Sequence, residues 1–535
     1  MARTPLFRTL ILALQAARRE NLKAQGLPPP VAHTASNWTR RKFIKTTATV
    51  GAIGLAGSLF SPTDAGATAT VAPSIAIIGA GIAGLNAAYQ LKKAGYYATV
   101  YEARPRIGGR MLSTDMGNGL IVDLGAELIN TDHADMLALA EEFGIELFNR
   151  VEDAANFPFP NTAYFFNGAS ITESALIDNL RLFSAQITHD AALLDEDWDT
   201  YAPQFDALSV ADYLELHADK IDKPYIIELF KDVIRSEYGA EAHESSALQL
   251  LFVLPVIDQQ SVDLISYSDE MYSVVGGSDQ ITDALGSNLE GQIQLRMELK
   301  EIRRTANKFH LTFADGTLVV ADIVIVTIPF PALNTVNILA PLPKLLRRFI
   351  NEAGLGANEK LLAAFNNRFW RQESGFTGEA WSDLGFCVLW DATQRQPSRT
   401  DGALNFFLGG NQARTLENQS ATGQGNQFVS RFNGILPGAT SGATGKFIRS
   451  GWLRSRFTRG GYANYRPGQL TTFGDFFWVE SDVPRERQEV SAGNLIFSGE
   501  HLSDAFYGFM NGGAQTGRLA AELAVGKITR RAGTS

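Results

Sequence analysis

A single cysteine, Cys387, stands in 535 residues, which excludes an intrachain disulfide and any metal site built on cysteine thiolates. The redox compartment therefore cannot be read from cysteine usage. A membrane span is missing as well. The apolar run TTATVGAIGLAGSLF at 46–60 is poor in Leu and Phe and falls short of the roughly twenty residues a spanning helix needs. Basic charge is thin: 47 Lys and Arg face 57 Asp and Glu. Residues 1–67 hold nine of the basic residues and two of the acidic ones, so the remainder carries 38 against 55. Such an acidic body argues against a nucleic-acid partner and suits neutral or cationic small molecules. What is present, 45% apolar and 19% charged residues, is the balance of a soluble globular protein. Its length holds about two to four domains' worth of chain.

The segment TRRKFIK at 39–45 stands directly before the apolar run. Paired arginines ahead of a weakly hydrophobic stretch resemble a twin-arginine export signal, so residues 1–71 are read as a leader and the protein as periplasmic or secreted. Within it, residues 7–23 have the period of an amphipathic helix, which the three prolines at 28–30 break.

Chemistry begins at residues 74–103, SIAIIGAGIAGLNAAYQLKKAGYYATVYEA, whose order of strand, glycine turn, helix and strand is that of a dinucleotide-binding unit. Gly79, Gly81 and Gly84 form GxGxxG. The first permits the tight turn, the second, with Ala83 nearby, lets backbone approach a pyrophosphate, and the third lets the helix pack on the strand. Glu102, followed by Ala103, ends the next strand, where a carboxylate accepts hydrogen bonds from an adenosine ribose. Six residues on, Gly108, Gly109 and Arg110 allow close approach to a diphosphate or a flavin edge and supply a charge for it. Residues 131–148 are helical in period, ending near Gly144, and residues 150–270 are mainly helical. Strand-like stretches return at 309–329, mixed segments fill 332–452, and NLIFSGE at 494–500 is a last buried strand before a terminal helix. This order predicts an α/β fold. A Rossmann-like domain is assembled from 72–148, 271–331 and 453–535, and an α+β substrate-binding domain of 149–270 and 332–452 is inserted into it.

With the GGR continuation, residues 72–527 resemble the flavin amine oxidase family, which includes monoamine, polyamine and L-amino acid oxidases. SVVGGSDQITDAL at 273–285 is similar to the family's glycine-pair segment, and RMELKEI at 296–302 to the strand whose backbone at Leu299 meets adenine. ADIVIVTIP at 321–329 is similar to the buried strand beneath the flavin. Lys360, in LGANEKLLAAFNNRFWR, stands where the family keeps a lysine that holds a water against flavin N5. The segments at 450–468 and 497–513 complete the resemblance. They imply Trp452 beside the flavin, Tyr462 and Phe509 as the two cage aromatics, Gly499 and Glu500 at the phosphate and ribityl side, and Met510 at the pyrimidine end. Gly508 and Trp390, the latter in FCVLWDAT, are placed at the substrate. Implied with them is an uncharged amine held between Tyr462 and Phe509 and oxidised with FAD as acceptor. Dioxygen is then reduced to hydrogen peroxide and the imine hydrolyses in water. Many relatives are homodimers, and the same is expected here.

Two positions depart from the family. Gly461 replaces the cysteine that animal monoamine oxidases bond to their flavin, so FAD is expected to be non-covalent. Leu128 replaces the arginine with which venom-type amino acid oxidases grip a carboxylate, leaving Arg454 and Arg456 as candidates for that task. The export signal, GAELI and GEHLSD look most like bacterial L-amino acid oxidases, so an L-amino acid is the expected substrate. Primary amines or polyamines are the alternative. An oxidative decarboxylase and an FAD-holding module without turnover also stay open. In DLGAELIN at 123–130, Gly125 and Ala126 let backbone pass close to the flavin. Glu127 is read as a cofactor-side or substrate-mouth carboxylate rather than a general base. His501, next to Glu500, is read as structural or flavin-side.

Overall fold

The computed structural model describes residues 73–253 and 269–532, with Lys23, Val31–His33, Val256–Ile257 and Ser261–Asp263. The twin-arginine segment, the apolar run at 46–60 and, save Lys23, the amphipathic stretch at 7–23 lie outside the described residues.

The apolar run IAII forms the strand Ile75–Ile78, buried at every position. It pairs in parallel with Ala98–Glu102 on one side and with Ile323–Val326, also buried throughout, on the other. An unbroken apolar run, rather than alternation, is what a parallel strand covered on both faces requires. Ile293–Leu295 and Leu495–Phe497 extend the sheet in parallel, and Ser491–Ala492 closes it antiparallel. One sheet thus gathers strands from three distant stretches of chain. The helices Ile82–Lys93 and Met510–Ala532 pack on it and on each other. Their closeness depends on glycine: a Cβ at Gly517 would come to 2.3 Å from the Ala83 carbonyl oxygen, and one at Gly513 to 2.7 Å from Ile82 Cγ2.

A second sheet of seven strands runs in the order Ala443–Arg449, Asn358–Phe365, Gly402–Gly409, Val388–Asp391, Glu379–Ser382, Thr162–Phe166 and Ala169–Ser170. Its central strands, Asn358–Phe365 and Gly402–Gly409, are buried at all positions although they carry Glu359, Lys360 and Asn405. The helix Pro224–Tyr238 packs against it. Pro224 starts that helix with its φ preset, and Gly239 at φ +59° ends it in the left-handed conformation. This stop sets Ser236 and Glu237 close to the strand of Lys360, because Asn358 Nδ2 donates to the Arg235 and Ser236 carbonyls. The fold is mixed α/β. Where a helical period runs over 131–148, the helix covers Ala134–Glu142, and Leu147–Asn149 instead pairs with Tyr272–Val274. Gly144 at φ +64° separates the two. Among the described residues no helix is long and apolar enough to cross a membrane.

Candidate active site

A long cavity opens at the carboxyl ends of the parallel strands and runs to the seven-stranded sheet, reaching from Gly79 and Glu102 past Gly125 to Lys360, Trp390 and Tyr462. Of the cofactor, substrate and catalytic positions assigned from the family resemblance, all but Gly84 line it. Gly84 sits one layer back, where a Cβ would meet the Gly79 carbonyl oxygen at 1.9 Å, so its glycine seats the helix on the turn.

At one end the cavity floor is backbone. Gly79 adopts φ +108°, Gly108 +90° and Gly109 +58°. A Cβ on Gly109 would press to 3.1 Å on Gly81 Cα. The helix Ile82–Lys93 begins here with no side-chain cap, leaving first-turn N–H groups for an anion. Glu102 is held at the rim: its carboxylate accepts the Ala80 and Arg104 N–H groups, each at 2.8 Å. Burial and neighbouring Arg106 push the Arg104 guanidinium down to about 10. Arg110 Nη1 donates to the Gly461 carbonyl and to Glu500 Oε1, both at 2.7 Å, and Glu500 Oε2 accepts the Gly508 N–H at 2.5 Å. A glycine floor, an uncapped helix start and a fixed carboxylate together fit the ADP half of FAD. Gly461 offers no atom for a covalent link, and Cys387 is buried outside the cavity lining.

The middle of the cavity is organised by DLGAELIN. Asp123 Oδ2 accepts Arg395 Nη1 at 2.6 Å, while Oδ1 accepts Ser113 Oγ at 2.6 Å and the Ser278 N–H at 3.0 Å. Burial alone would raise this carboxyl, but Arg395, Lys360 and these hydrogen bonds hold it below its ordinary value. Ser278 Oγ also donates to the Ala126 carbonyl at 2.6 Å, and Trp452 Nε1 to that of Leu124 at 2.8 Å. The stretch is thereby pinned from both flanks. Lys360 is buried, and its Nζ donates to Glu127 Oε2 at 2.6 Å and to the Asp123 carbonyl at 3.1 Å. Trp390 Nε1 reaches the same Glu127 oxygen at 3.3 Å, and its ring centre lies 5.2 Å from Nζ. Glu359, on the opposite side of the strand, accepts the Gly451 and Leu453 N–H groups at 2.5 and 2.9 Å and so shapes the turn carrying Trp452.

At the far end Tyr462 and Phe509 line the cavity, the Tyr462 hydroxyl donating to the Ser236 carbonyl and Phe509 set edge-on to His133 at 4.9 Å. Arg454 is outside the lining and donates to Asn418. Arg456 lines the cavity but pairs with Glu298, next to Leu299, at 2.8 Å. His501 is also outside the lining, packed on Phe330 at 4.6 Å, and burial pushes it down to about 4. Arg395 and Glu359 went unnoticed in the sequence because nothing local marks them. Each is recognisable only by its distant partners.

His133, which burial pushes down to about 3, and His501 share one consequence. Both are held neutral, so the folded chain binds fewer protons than the unfolded one below the ordinary histidine value of about 6.5. Their contribution is complete above that pH and is lost as pH falls toward 4 and then 3. For His501 it amounts to about 3 kcal/mol. The urea midpoint should fall steadily from pH 7 to pH 4, and His501→Leu should flatten that slope. An unchanged slope would remove His501 as a cause.

Residues 82–525 match the model of the flavin containing amine oxidoreductase family. Among curated relatives, the probable flavin-containing monoamine oxidase A of Dictyostelium discoideum is 25% identical over 464 residues, spanning 84% of this chain and 97% of that one. The flavin-containing amine oxidase B of Mus musculus is 25% identical over 475 residues, 85% and 87% of the two chains. Two solved structures share the fold. Wild-type putrescine oxidase bound to putrescine gives a TM-score of 0.70 at 22% identity over 85% of this chain and 99% of its own. Cyclohexylamine oxidase from Brevibacterium oxydans gives 0.72 at 21% over 86% and 100%. Glycine cradle, pinned carboxylates and family match agree: the chain belongs to the flavin-containing amine oxidoreductases, and its cofactor is FAD.

Proposed function

We propose that the protein oxidises primary amines that carry no carboxylate on the reacting carbon, releasing an imine that hydrolyses to aldehyde and ammonia, with dioxygen reduced to hydrogen peroxide. One observation carries this choice over an L-amino acid: every cation lining the cavity is already engaged. The Arg104 guanidinium donates to the Gly109 carbonyl and to Ser455 Oγ, Arg456 pairs with Glu298 at the adenine end, Arg110 is tied to Glu500, and Lys360 to Glu127. An amino acid's carboxylate would have to break one of these pairs. An amine asks for none of them. The family's monoamine oxidase relatives support the same reading.

FAD supplies the two-electron acceptor. The chain's own task is to hold and dehydrate the substrate. Tyr462 and Phe509 offer aromatic walls for an uncharged amine and keep water from it. Glu127 acts as the anchor of Lys360 rather than as a general base, with Lys360 and Trp390 both held on its Oε2. The substrate ammonium therefore gives up its proton to solvent before it binds productively, and Lys360 stays tied to Glu127 inside the cavity. Export by the twin-arginine route and a homodimeric state go with this reading.

The test is a peroxide assay across simple primary amines, L-amino acids and D-amino acids, with aldehyde, 2-oxo acid and amide products separated. Primary amines should produce peroxide and aldehyde. Turnover of L-amino acids with none of the amines would overturn the choice and restore the amino acid reading, or decarboxylation if amide appears. A flavin that no amine or amino acid bleaches without oxygen would make the protein an FAD holder.

A further inference from the structure

The helix Pro224–Tyr238 contributes no residue to the cavity lining, yet its carboxyl end holds one of the cavity's aromatic walls. Gly239 turns the chain out of the helix, so the last carbonyls are left without partners inside it. The Arg235 carbonyl accepts the Gly239 N–H at 2.9 Å. The Ser236 carbonyl instead accepts the hydroxyl of Tyr462, which lines the cavity. A phenol donor is thus set on the negative end of a helix.

Where that helix end stands is decided by Asn358. Its Nδ2 donates to the Arg235 carbonyl at 3.1 Å and approaches the Ser236 carbonyl at 3.4 Å, so one amide clamps both. Its orientation is forced, because the amide turned over would set its oxygen against two carbonyl oxygens. Oδ1 then has no hydrogen-bond partner among the described residues, although Asn358 is 2% exposed. An open buried acceptor is destabilising, and the chain carries it where the donors of the same amide reach the helix end.

The backbone around the amide leaves no slack. A Cβ at Gly461 would come to 2.9 Å from Asn358 Cβ and 3.0 Å from Oδ1, and one at Gly356 to 1.9 Å from the Tyr238 carbonyl oxygen. The Gly356 N–H donates to the Tyr462 carbonyl at 2.7 Å, and the Ala357 N–H to that of Gly239, also at 2.7 Å. On the helix itself Arg235 is tied to Asp232 at 2.9 Å and to Glu241 at 2.8 Å. Tyr462 is therefore held twice: its backbone by Gly356, and its hydroxyl by a helix end that Asn358 keeps in place.

We propose that Asn358 is a positioning residue for the oxidation, fixing the ring plane of Tyr462 through the Ser236 carbonyl. The inference rests on the amine oxidase reading in taking Tyr462 as the wall against which the reacting amine lies. With its hydroxyl anchored, the ring keeps one plane as substrate arrives, and the reacting carbon is presented at one distance and angle. A misplacement of about 1 Å at such a wall costs about a hundred-fold in rate.

Asn358→Leu, Tyr462→Phe and the double variant form a double-mutant cycle. When the flavin-loaded enzyme is mixed with n-hexylamine without oxygen, each single variant should lower the limiting rate of flavin bleaching about ten-fold and leave the apparent amine affinity within about two-fold of wild type. The double variant should be no slower than the slower single one, since both changes release the same ring. A crystal structure of Asn358→Leu should show the Tyr462 hydroxyl off the Ser236 carbonyl. Should Asn358→Leu fail to fold or lose FAD, Asn358→Ser, too short to reach the helix end, takes its place. A wild-type limiting rate in Tyr462→Phe, losses that multiply to about a hundred-fold in the double variant, or an unmoved ring in the crystal overturns the proposal and leaves the oxidase reading intact. If n-hexylamine does not bleach the wild-type flavin, the amine reading is at fault, and the position of the ring in the crystal judges Asn358 by itself.

Discussion

Replacing Lys360 with Met should slow amine oxidation by about two to four orders of magnitude while the protein stays yellow. Lys360 sits on a strand buried at every position, and Met nearly preserves the stem that packs beside Trp390. What disappears is the ammonium group. Two consequences follow and can be separated. Without its partner at 2.6 Å, the Glu127 carboxylate is left buried with Trp390 Nε1 as its remaining donor, a loss of about 3–5 kcal/mol in stability. The cavity also loses the cation that resemblance to the family assigns to holding a water beside the flavin. Adding Glu127→Gln to Lys360→Met removes both members of the pair, which should restore most of the stability. If Lys360 serves only the fold, that double variant regains activity. If it serves the chemistry, the midpoint recovers and the rate does not. Rapid mixing without oxygen, then with it, gives the rates of flavin bleaching and recovery separately. Wild-type values for both in Lys360→Met would take Lys360 out of the mechanism.

The cradle was legible because its requirements are local. Gly79 at φ +108° and Gly108 at φ +90° are backbone conformations that L side chains rarely adopt, and the residues that need them lie within one short run of chain. Glu102 followed from the same run, as the end of the next strand. Glu127 did not: its sequence neighbours left it between several roles, and its partner Lys360 stands 233 residues away. Only the pairing of DLGAELIN with the strand Asn358–Phe365 brings the two together. Arg454 and Arg456 show the opposite error. They follow Trp452 closely in sequence, yet the turn that Glu359 organises directs Arg454 to Asn418 and Arg456 to Glu298. Least legible of all were Glu379 and Asn405, which only strand register sets beside Trp390 and no spacing along the chain records.

Arg395→Leu should destabilise the protein by about 3–5 kcal/mol and release FAD, even though Arg395 is not itself part of the cavity lining. Arg395 and Asp123 are both essentially fully buried, and their 2.6 Å contact is what makes an ionised Asp123 tolerable there. Asp123 in turn fixes Ser113 and Ser278, and Ser278 fixes the carbonyl of Ala126 in the stretch that lines the cavity. Loosening that chain of contacts shifts Gly125, where a Cβ would already lie 1.8 Å from the Arg110 carbonyl oxygen, so backbone fits here with no slack. The sign of the pH dependence identifies the cause. In the wild type the depressed Asp123 contributes stability that is present above the ordinary carboxylate value of about 3.9 and is lost only as pH falls through its lower folded value. With Arg395 gone, burial dominates and the folded-state value rises above the unfolded one. The folded variant then binds the proton better, and its stability is lost as pH rises. The difference in urea midpoint between wild type and Arg395→Leu should therefore be larger at pH 7 than at pH 5. Comparing the two proteins at each pH removes the opposing effect of the buried histidines, which both share. Adding Asp123→Asn should recover part of the loss at pH 7 by removing the charge that Arg395 balanced. A deficit independent of pH, with no recovery in the double variant, would place the role of Arg395 in packing and reject the charge argument.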